Sequence, residues 1–131
     1  MKHKVLLVED DKMTVKALSV RLKAKGYEVI VAFDAVMALA KAKEHRPDVV
    51  LLDIFLPGGN GLTVAEWLQD STFTTGTPLI FLTASQQPEL REKAMALGAA
   101  AFFEKPFEFS DLLAAIQEAI GVSSQQPVSI S

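Results

Sequence analysis

The sequence Val5-Leu6-Leu7-Val8-Glu9-Asp10-Asp11 places a continuous apolar run directly before three acidic residues. A short apolar run without alternation is typical of a strand that is buried on both faces, as the strands of parallel sheets are. The acidic residues end this run, so we expect them in the turn that follows the strand. The stretch therefore predicts one strand of a parallel sheet with charged groups at its carboxyl end.

The rest of the chain repeats this arrangement. Further apolar runs predict strands at Glu28–Ala32, Val49–Leu52, Pro78–Leu82 and Ala100–Phe103. After each run, apolar residues recur at the 3.6-residue spacing of amphipathic helices. Five strands alternating with five helices predict βαβ units, and right-handed crossovers place helices on both faces of the sheet. The predicted fold class is α/β, a doubly wound five-stranded parallel sheet with five helices in a flavodoxin-like (βα)5 arrangement.

The composition indicates a single globular domain. The chain has 131 residues, 50% of them hydrophobic and 22% charged, which excludes a disordered or collagen-like chain. Cysteine is absent, so disulfides, thiolate zinc sites, iron–sulfur clusters and cysteine nucleophiles are excluded. The formal net charge is −3, from 13 basic and 16 acidic residues, and there is no basic patch. We therefore expect no direct binding to nucleic acid or to a membrane.

The two ends of the chain carry no export signal. The basic start, Met1–Lys4, precedes only four apolar residues, whereas a secretory core needs about 7–15 and a membrane span about 18. We therefore expect a cytoplasmic location.

The helical pattern ends at Gly121, and residues 122–131 are uncharged. The predicted division is one domain over residues 1–121 and a flexible tail, or the start of a linker, over residues 122–131.

Polar side chains follow four of the predicted strands. Asp10 and Asp11 follow the first strand, Asp53 ends the third, Thr83 ends the fourth, and Lys105 follows the fifth. Ligands of open parallel sheets bind beyond the carboxyl ends of the strands, and the first and third strands are usually neighbours. Two carboxylates about 4 Å apart repel by about 4 kcal/mol at an effective dielectric constant of 20. Three of them therefore raise a pKa or recruit a divalent cation, and oxygen ligands suit Mg²⁺.

These groups match the needs of in-line phosphoryl transfer. They supply a carboxylate nucleophile, ligands for a metal that neutralises charge, and an ammonium and a hydroxyl that bind phosphoryl oxygens. Each residue alone also has a structural explanation, because acidic residues after a strand often cap the next helix. Their joint placement at four turns on one side of the sheet favours the functional explanation.

Five segments of the sequence resemble the receiver domain of two-component response regulators, including the chemotaxis regulators, over about residues 3–121. These segments are Val5–Asp11, Asp48–Pro57, Gly61, Leu82-Thr83-Ala84 and Lys105-Pro106-Phe107. The resemblance implies a signalling switch rather than an enzyme. It implies that Asp53 accepts a phosphoryl group from the phosphohistidine of a histidine kinase or a phosphotransfer protein.

The resemblance also implies a metal site and a switch. Asp10, Asp11, Asp53 and the backbone carbonyl of Phe55 would bind Mg²⁺, with Mn²⁺ as an alternative ion. Lys105 would contact the phosphoryl group, aimed by a cis Lys105–Pro106 bond.

Thr83 would swing toward the phosphoryl oxygen, and Phe102 would follow it inward. This movement would change the surface of the fourth helix, the fifth strand and the fifth helix, which controls a partner. Many relatives carry Tyr at the position of Phe102. Without that hydroxyl, we predict a switch driven by packing.

The output of the switch stays open at this level. From Pro106 onward the chain has no Lys or Arg, which weakens a DNA-docking dimer formed through the fourth and fifth helices. We therefore expect a stand-alone receiver that binds a downstream protein or relays phosphate. The alternative is the N-terminal receiver of a longer regulator, whose output domain, for example a transcriptional one, would follow the tail.

Two more remote alternatives have specific weaknesses. A small Mg²⁺-dependent phosphohydrolase with an aspartyl nucleophile usually carries a second acid two residues after it, where this chain has Phe55. A flavodoxin-like cofactor binder needs a phosphate-cradling loop rich in Ser, Thr or Gly after the first strand. This chain has acidic residues there.

Overall fold

Five parallel strands form the central sheet of the computed structural model, which describes residues 2–121. The strands are β1 (Lys4–Val8), β2 (Glu28–Ala32), β3 (Val49–Asp53), β6 (Leu79–Thr83) and β7 (Ala101–Glu104). They are hydrogen-bonded in the order β2-β1-β3-β6-β7. The predicted α/β fold is therefore confirmed, and the carboxyl ends of β1 and β3 are neighbours. The tail predicted for residues 122–131 lies outside the described residues.

Helices cover both faces of the sheet. They are α1 (Lys12–Ala24), α2 (Ala35–His45), α3 (Gly61–Asp70), α4 (Pro88–Ala96) and α5 (Phe109–Ile120). Leu6 and Val8 of β1 face the core under α2, α3 and α4, whereas Val5 and Leu7 face the core under α1 and α5. Full burial of one such side chain contributes about 1.5–3 kcal/mol, so the uninterrupted apolar runs require both layers. Within residues 2–121, no helix has the length and apolarity to cross a membrane.

A small hairpin follows β3 and was not predicted. Its strands, β4 (Phe55–Leu56) and β5 (Gly59–Asn60), are antiparallel and lead directly into α3. At Gly61, the N–H donates to the carbonyl of Ile54 at 2.7 Å, and an added Cβ would lie 2.1 Å from the carbonyl oxygen of Asp53. Only glycine permits this approach, which fixes the start of α3 against the end of β3.

Candidate functional site

Four strands deliver polar side chains to the carboxyl edge of the sheet. Glu9 follows β1, Asp53 ends β3, Thr83 ends β6 and Lys105 follows β7. Because these strands are consecutive in the sheet order, the residues lie side by side. The edge predicted from the sequence to carry the chemistry therefore holds a compact polar group.

Three carboxylates form the acidic part of the site. One oxygen from each of Glu9, Asp10 and Asp53 lies within 4.8 Å of the others. Asp10 is exposed, whereas Glu9 and Asp53 are buried. Clustered carboxylate oxygens open to water on one side are a donor set that fits Mg²⁺, which keeps several waters when bound.

Asp11 lies outside this cluster, and its predicted place among the metal ligands stays a prediction. It is the N-cap residue of α1, its side chain is exposed, and its Oδ2 accepts a 2.5 Å hydrogen bond from the Thr14 hydroxyl. That hydrogen bond lowers the pKa of Asp11. Glu9 is the third member of the cluster, beside Asp10 and Asp53. An Asp followed three residues later by a Thr is typical of a helix N-terminus, and this spacing in the sequence indicates that Asp11 caps α1.

Glu9 holds Lys105 in place. The Lys105 Nζ lies 2.5 Å from Glu9 Oε1 and 3.5 Å from Asp53 Oδ2. The other Glu9 oxygen, Oε2, accepts from the backbone N–H of Asp11 at 3.1 Å. Burial opposes the charged form of Lys105, but its contacts with Glu9 and Asp53 outweigh this effect and raise the pKa of Lys105. Both Glu9 oxygens are thus engaged, one by the Lys105 ammonium and the other by the backbone N–H of Asp11.

Asp53 is held in an environment that disfavours its negative charge. Burial and the adjacent Glu9 carboxylate raise the pKa of Asp53 to about 6. Lys105 and a 3.2 Å hydrogen bond from the backbone N–H of Phe55 oppose this rise only in part. A divalent cation at the cluster would compensate the excess negative charge.

Replacing Asp53 by Asn should stabilise the metal-free protein at neutral pH. The pKa of Asp53 is about 6 in the folded chain against an ordinary 3.8, so burying the ionised carboxylate costs about 2–3 kcal/mol at pH 7. Since the folded-state pKa is raised, this cost is absent below about pH 4 and grows as the pH rises through about 6. Urea unfolding of Asp53→Asn and wild type in EDTA, at pH 7 and at about pH 4, measures the difference in unfolding free energy.

The exposed Asp70 offers a matched control, because the Asp70→Asn change removes an equal charge far from the cluster. We expect it to leave the unfolding free energy within about 0.5 kcal/mol of the wild type. Equal stability of Asp53→Asn and wild type at pH 7 in EDTA would contradict the cost assigned to burying the ionised Asp53 carboxylate.

Thr83 and Phe102 lie on the neighbouring strands β6 and β7. Thr83 is fully buried, its hydroxyl oxygen accepts from the N–H of Ser85 at 3.1 Å, and its carbonyl accepts from the N–H of Lys105 at 2.8 Å. The Phe102 ring is only 6% exposed and packs against Phe81, with ring centroids 6.5 Å apart. The ring thus occupies a buried position next to the strand that carries Thr83.

The Lys105–Pro106 peptide bond is cis. The side chain of Phe55, two residues after Asp53, is 53% exposed at the rim of the site. The role predicted for its backbone carbonyl as a metal ligand stays a prediction.

The comparisons with known proteins agree with this geometry. The chain matches the response regulator receiver domain family over residues 5–117, and it belongs to that family. It is therefore a phosphoacceptor switch of two-component signalling rather than an enzyme.

Two curated relatives differ in how much of their length this chain spans. The chain is 34% identical to the polar-differentiation response regulator DivK of Brucella anthropi, over 92% of this chain and 98% of that protein. It is 32% identical to the DNA-binding response regulator MtrA of Mycolicibacterium paratuberculosis, over 97% of this chain but only 55% of that protein. The chain thus spans about half the length of MtrA.

Solved structures have the same fold. The chemotaxis response regulator CheY4 of Vibrio cholerae has a TM-score of 0.83 and 33% identity, covering 91% of this chain and 99% of that one. The receiver domain of the sensor histidine kinase PA1611 of Pseudomonas aeruginosa has a TM-score of 0.84 and 28% identity, covering 92% and 99%. That receiver has a magnesium ion coordinated in its active-site cleft.

Proposed function

We propose that Asp53 accepts a phosphoryl group from the phosphohistidine of a histidine kinase or phosphotransfer protein in a reaction that depends on Mg²⁺. The observation that carries this proposal is the convergence of Asp10, Asp53, Glu9 and Lys105 at one edge of the sheet. Receiver domains partner with histidine kinases, which supports the donor class.

Each residue has a part in the transfer. A carboxylate oxygen of Asp53 attacks the phosphorus, the phosphorus–nitrogen bond breaks, and the imidazole of the donor leaves. Asp10 and Asp53 would hold Mg²⁺, or Mn²⁺ with the same donors, and the ion supplies positive charge for the phosphoryl oxygens. Lys105, only 3.5 Å from Asp53 Oδ2, is placed to pair with a phosphoryl oxygen once the transfer has occurred.

The signal then passes to the surface of α4, β7 and α5. The Thr83 hydroxyl turns from the N–H of Ser85 toward the phosphoryl group, and the packing around Phe102 changes with it. The altered surface controls a downstream protein or an output domain of a longer regulator, without direct contact of this domain with nucleic acid or a membrane. The cytoplasmic location expected from the sequence stays a prediction.

Phosphotransfer from autophosphorylated candidate kinases tests the proposal. We expect radiolabel on the wild type and on the control variant Asp70→Asn in Mg²⁺, no label on Asp53→Asn, and no label on any protein in EDTA. Label on Asp53→Asn at the wild-type level would refute Asp53 as the acceptor. Equal labelling in EDTA would refute the dependence on a metal ion.

Replacing Phe55 by Asn should speed the loss of the phosphoryl group several-fold. Phe55 lies two residues after the acceptor, and its bulk is expected to hinder the water that attacks the aspartyl phosphate. The rate is measured by following the label on isolated phosphoprotein. Phe33→Asn is a matched control, because Phe33 is another exposed phenylalanine, located just after β2. An unchanged rate in Phe55→Asn would refute the shielding role.

A further inference from the structure

The Phe102 ring is covered on one side by an arginine. Its neighbours in the core include Leu90 and Ala94 of α4, which are buried with it in one cluster. Between these two residues on the same helix, Arg91 reaches over the ring, and its Cζ lies 5.5 Å from the ring centroid. A guanidinium within about 6 Å of an aromatic centroid is attracted by the negative face of the ring.

Arg91 is not engaged by a carboxylate elsewhere. Among residues 2–121 the ion pairs involve Lys105 and His45 only, and the side chain of Arg91 donates no hydrogen bond. The acidic residues nearest in sequence, Glu89 and Glu92, leave it unpaired. The stacking on Phe102 is therefore its defining contact in the described part of the chain.

We propose that Arg91 is a positioning residue that holds Phe102 in its inward, buried position before phosphorylation. To turn outward, the ring must leave both the core under α4 and the face of the guanidinium. Loss of a cation–π contact of ordinary strength at an exposed site changes a two-state ratio by about two- to fivefold. Arg91 should therefore increase the fraction of inward Phe102 by about that factor.

This role makes α4 and the ring move together. Because Arg91 belongs to α4, a shift of this helix changes the contact between the guanidinium and the Phe102 ring. Conversely, a ring that turns outward removes one contact between α4 and β7. The consequence for signalling depends on the proposed function. If Phe102 already favours the inward position before phosphorylation, phosphorylation produces a smaller change in the fraction of inward rings.

Fluorine NMR on protein labelled with 4-fluorophenylalanine tests the positioning role in the metal-free, unphosphorylated protein. The Phe102 resonance is assigned with a Phe102→Leu variant. We expect Arg91→Gln to move this resonance toward the solvent-exposed position and to increase its solvent isotope shift, with a smaller change in Arg91→Lys. Arg46→Gln is a matched control, because Arg46 lies 4.9 Å from the ring of Phe73 in the same kind of contact. It should move the Phe73 resonance and leave that of Phe102 in place.

The outcomes separate this inference from the proposed function. An unmoved Phe102 resonance in Arg91→Gln overturns the positioning role, whether or not Asp53 is phosphorylated. With the phosphoryl mimic beryllofluoride and Mg²⁺, we expect a larger displacement of the resonance in Arg91→Gln than in wild type. Equal displacements in the two proteins overturn the coupling. A wild-type chain that takes no label on Asp53, but whose Phe102 resonance depends on Arg91, refutes only the proposed function.

Discussion

The Gly61→Ala variant is expected to lose about 3 kcal/mol or more of unfolding free energy, at the upper end of the cost of overpacking. The new Cβ would lie 2.1 Å from the Asp53 carbonyl oxygen and 2.9 Å from the Ile54 Cα, both backbone atoms that cannot rotate away. The hydrogen bond from Gly61 to Ile54 would be lost as the segments separate. Urea unfolding followed by the fluorescence of Trp67, the single tryptophan, measures the loss.

Gly58→Ala separates collision from backbone strain in that experiment. Gly58 lies in the turn between β4 and β5 with φ +74°, and an added Cβ there would meet nothing within 4 Å. Its expected cost is about 1 kcal/mol, from the left-handed backbone alone. If Gly61→Ala costs no more than Gly58→Ala, the close approach of α3 to β3 described above is wrong.

The Lys105→Met variant is expected to lose about 3 kcal/mol of unfolding free energy in EDTA at neutral pH, because it leaves a buried charge without its partner. Glu9 is only 1% exposed and has Lys105 as its cationic partner, while Asp53 faces the same ammonium. We expect Mg²⁺ to restore part of the loss. The deficit should also shrink as the pH falls below about 6, since protonation then discharges Asp53, whose pKa is raised to about 6. Unfolding in EDTA and in Mg²⁺ over a pH series measures both effects.

Two further variants test whether the Lys105 ammonium stabilises the acidic cluster. Lys93→Met removes an exposed lysine from α4 and should change stability by less than about 0.5 kcal/mol. The double variant Glu9→Gln, Lys105→Met removes both partners and should recover most of the loss. A single Lys105→Met variant as stable as Lys93→Met would mean that the ammonium does not stabilise the acidic cluster.

The strands were predictable because each is buried on both faces and is therefore apolar throughout. The predicted run Val49–Leu52 corresponds to β3 at Val49–Asp53, and Glu28–Ala32 coincides with β2. The β4–β5 hairpin was not predictable in this way, because strands of two residues have no period to detect. Its geometry depends instead on the approach of Gly61 to β3, a tertiary contact.

The site was predictable to the extent that strand ends locate it. Asp10, Asp53, Thr83 and Lys105 follow from this rule, whereas Asp11 is already the N-cap residue of α1. The N–H of Glu9 still donates to the Ala32 carbonyl of β2 at 3.0 Å, so Glu9 belongs to the strand edge. The Asp11 carbonyl already accepts from the N–H of Val15 in α1. A run of three acidic residues does not reveal where the strand ends and the helix begins.

The ion pair between Glu9 and Lys105 joins residues that are 96 positions apart, and it spans β1, β3, β6 and β7 through the sheet between them. No shorter piece of the chain contains Glu9, Asp53 and Lys105 together. A partly folded chain that already contains Asp53, the proposed acceptor, thus lacks the Lys105 ammonium beside it until β7 has joined the sheet. We therefore expect phosphotransfer to Asp53 only after β7 has joined the sheet.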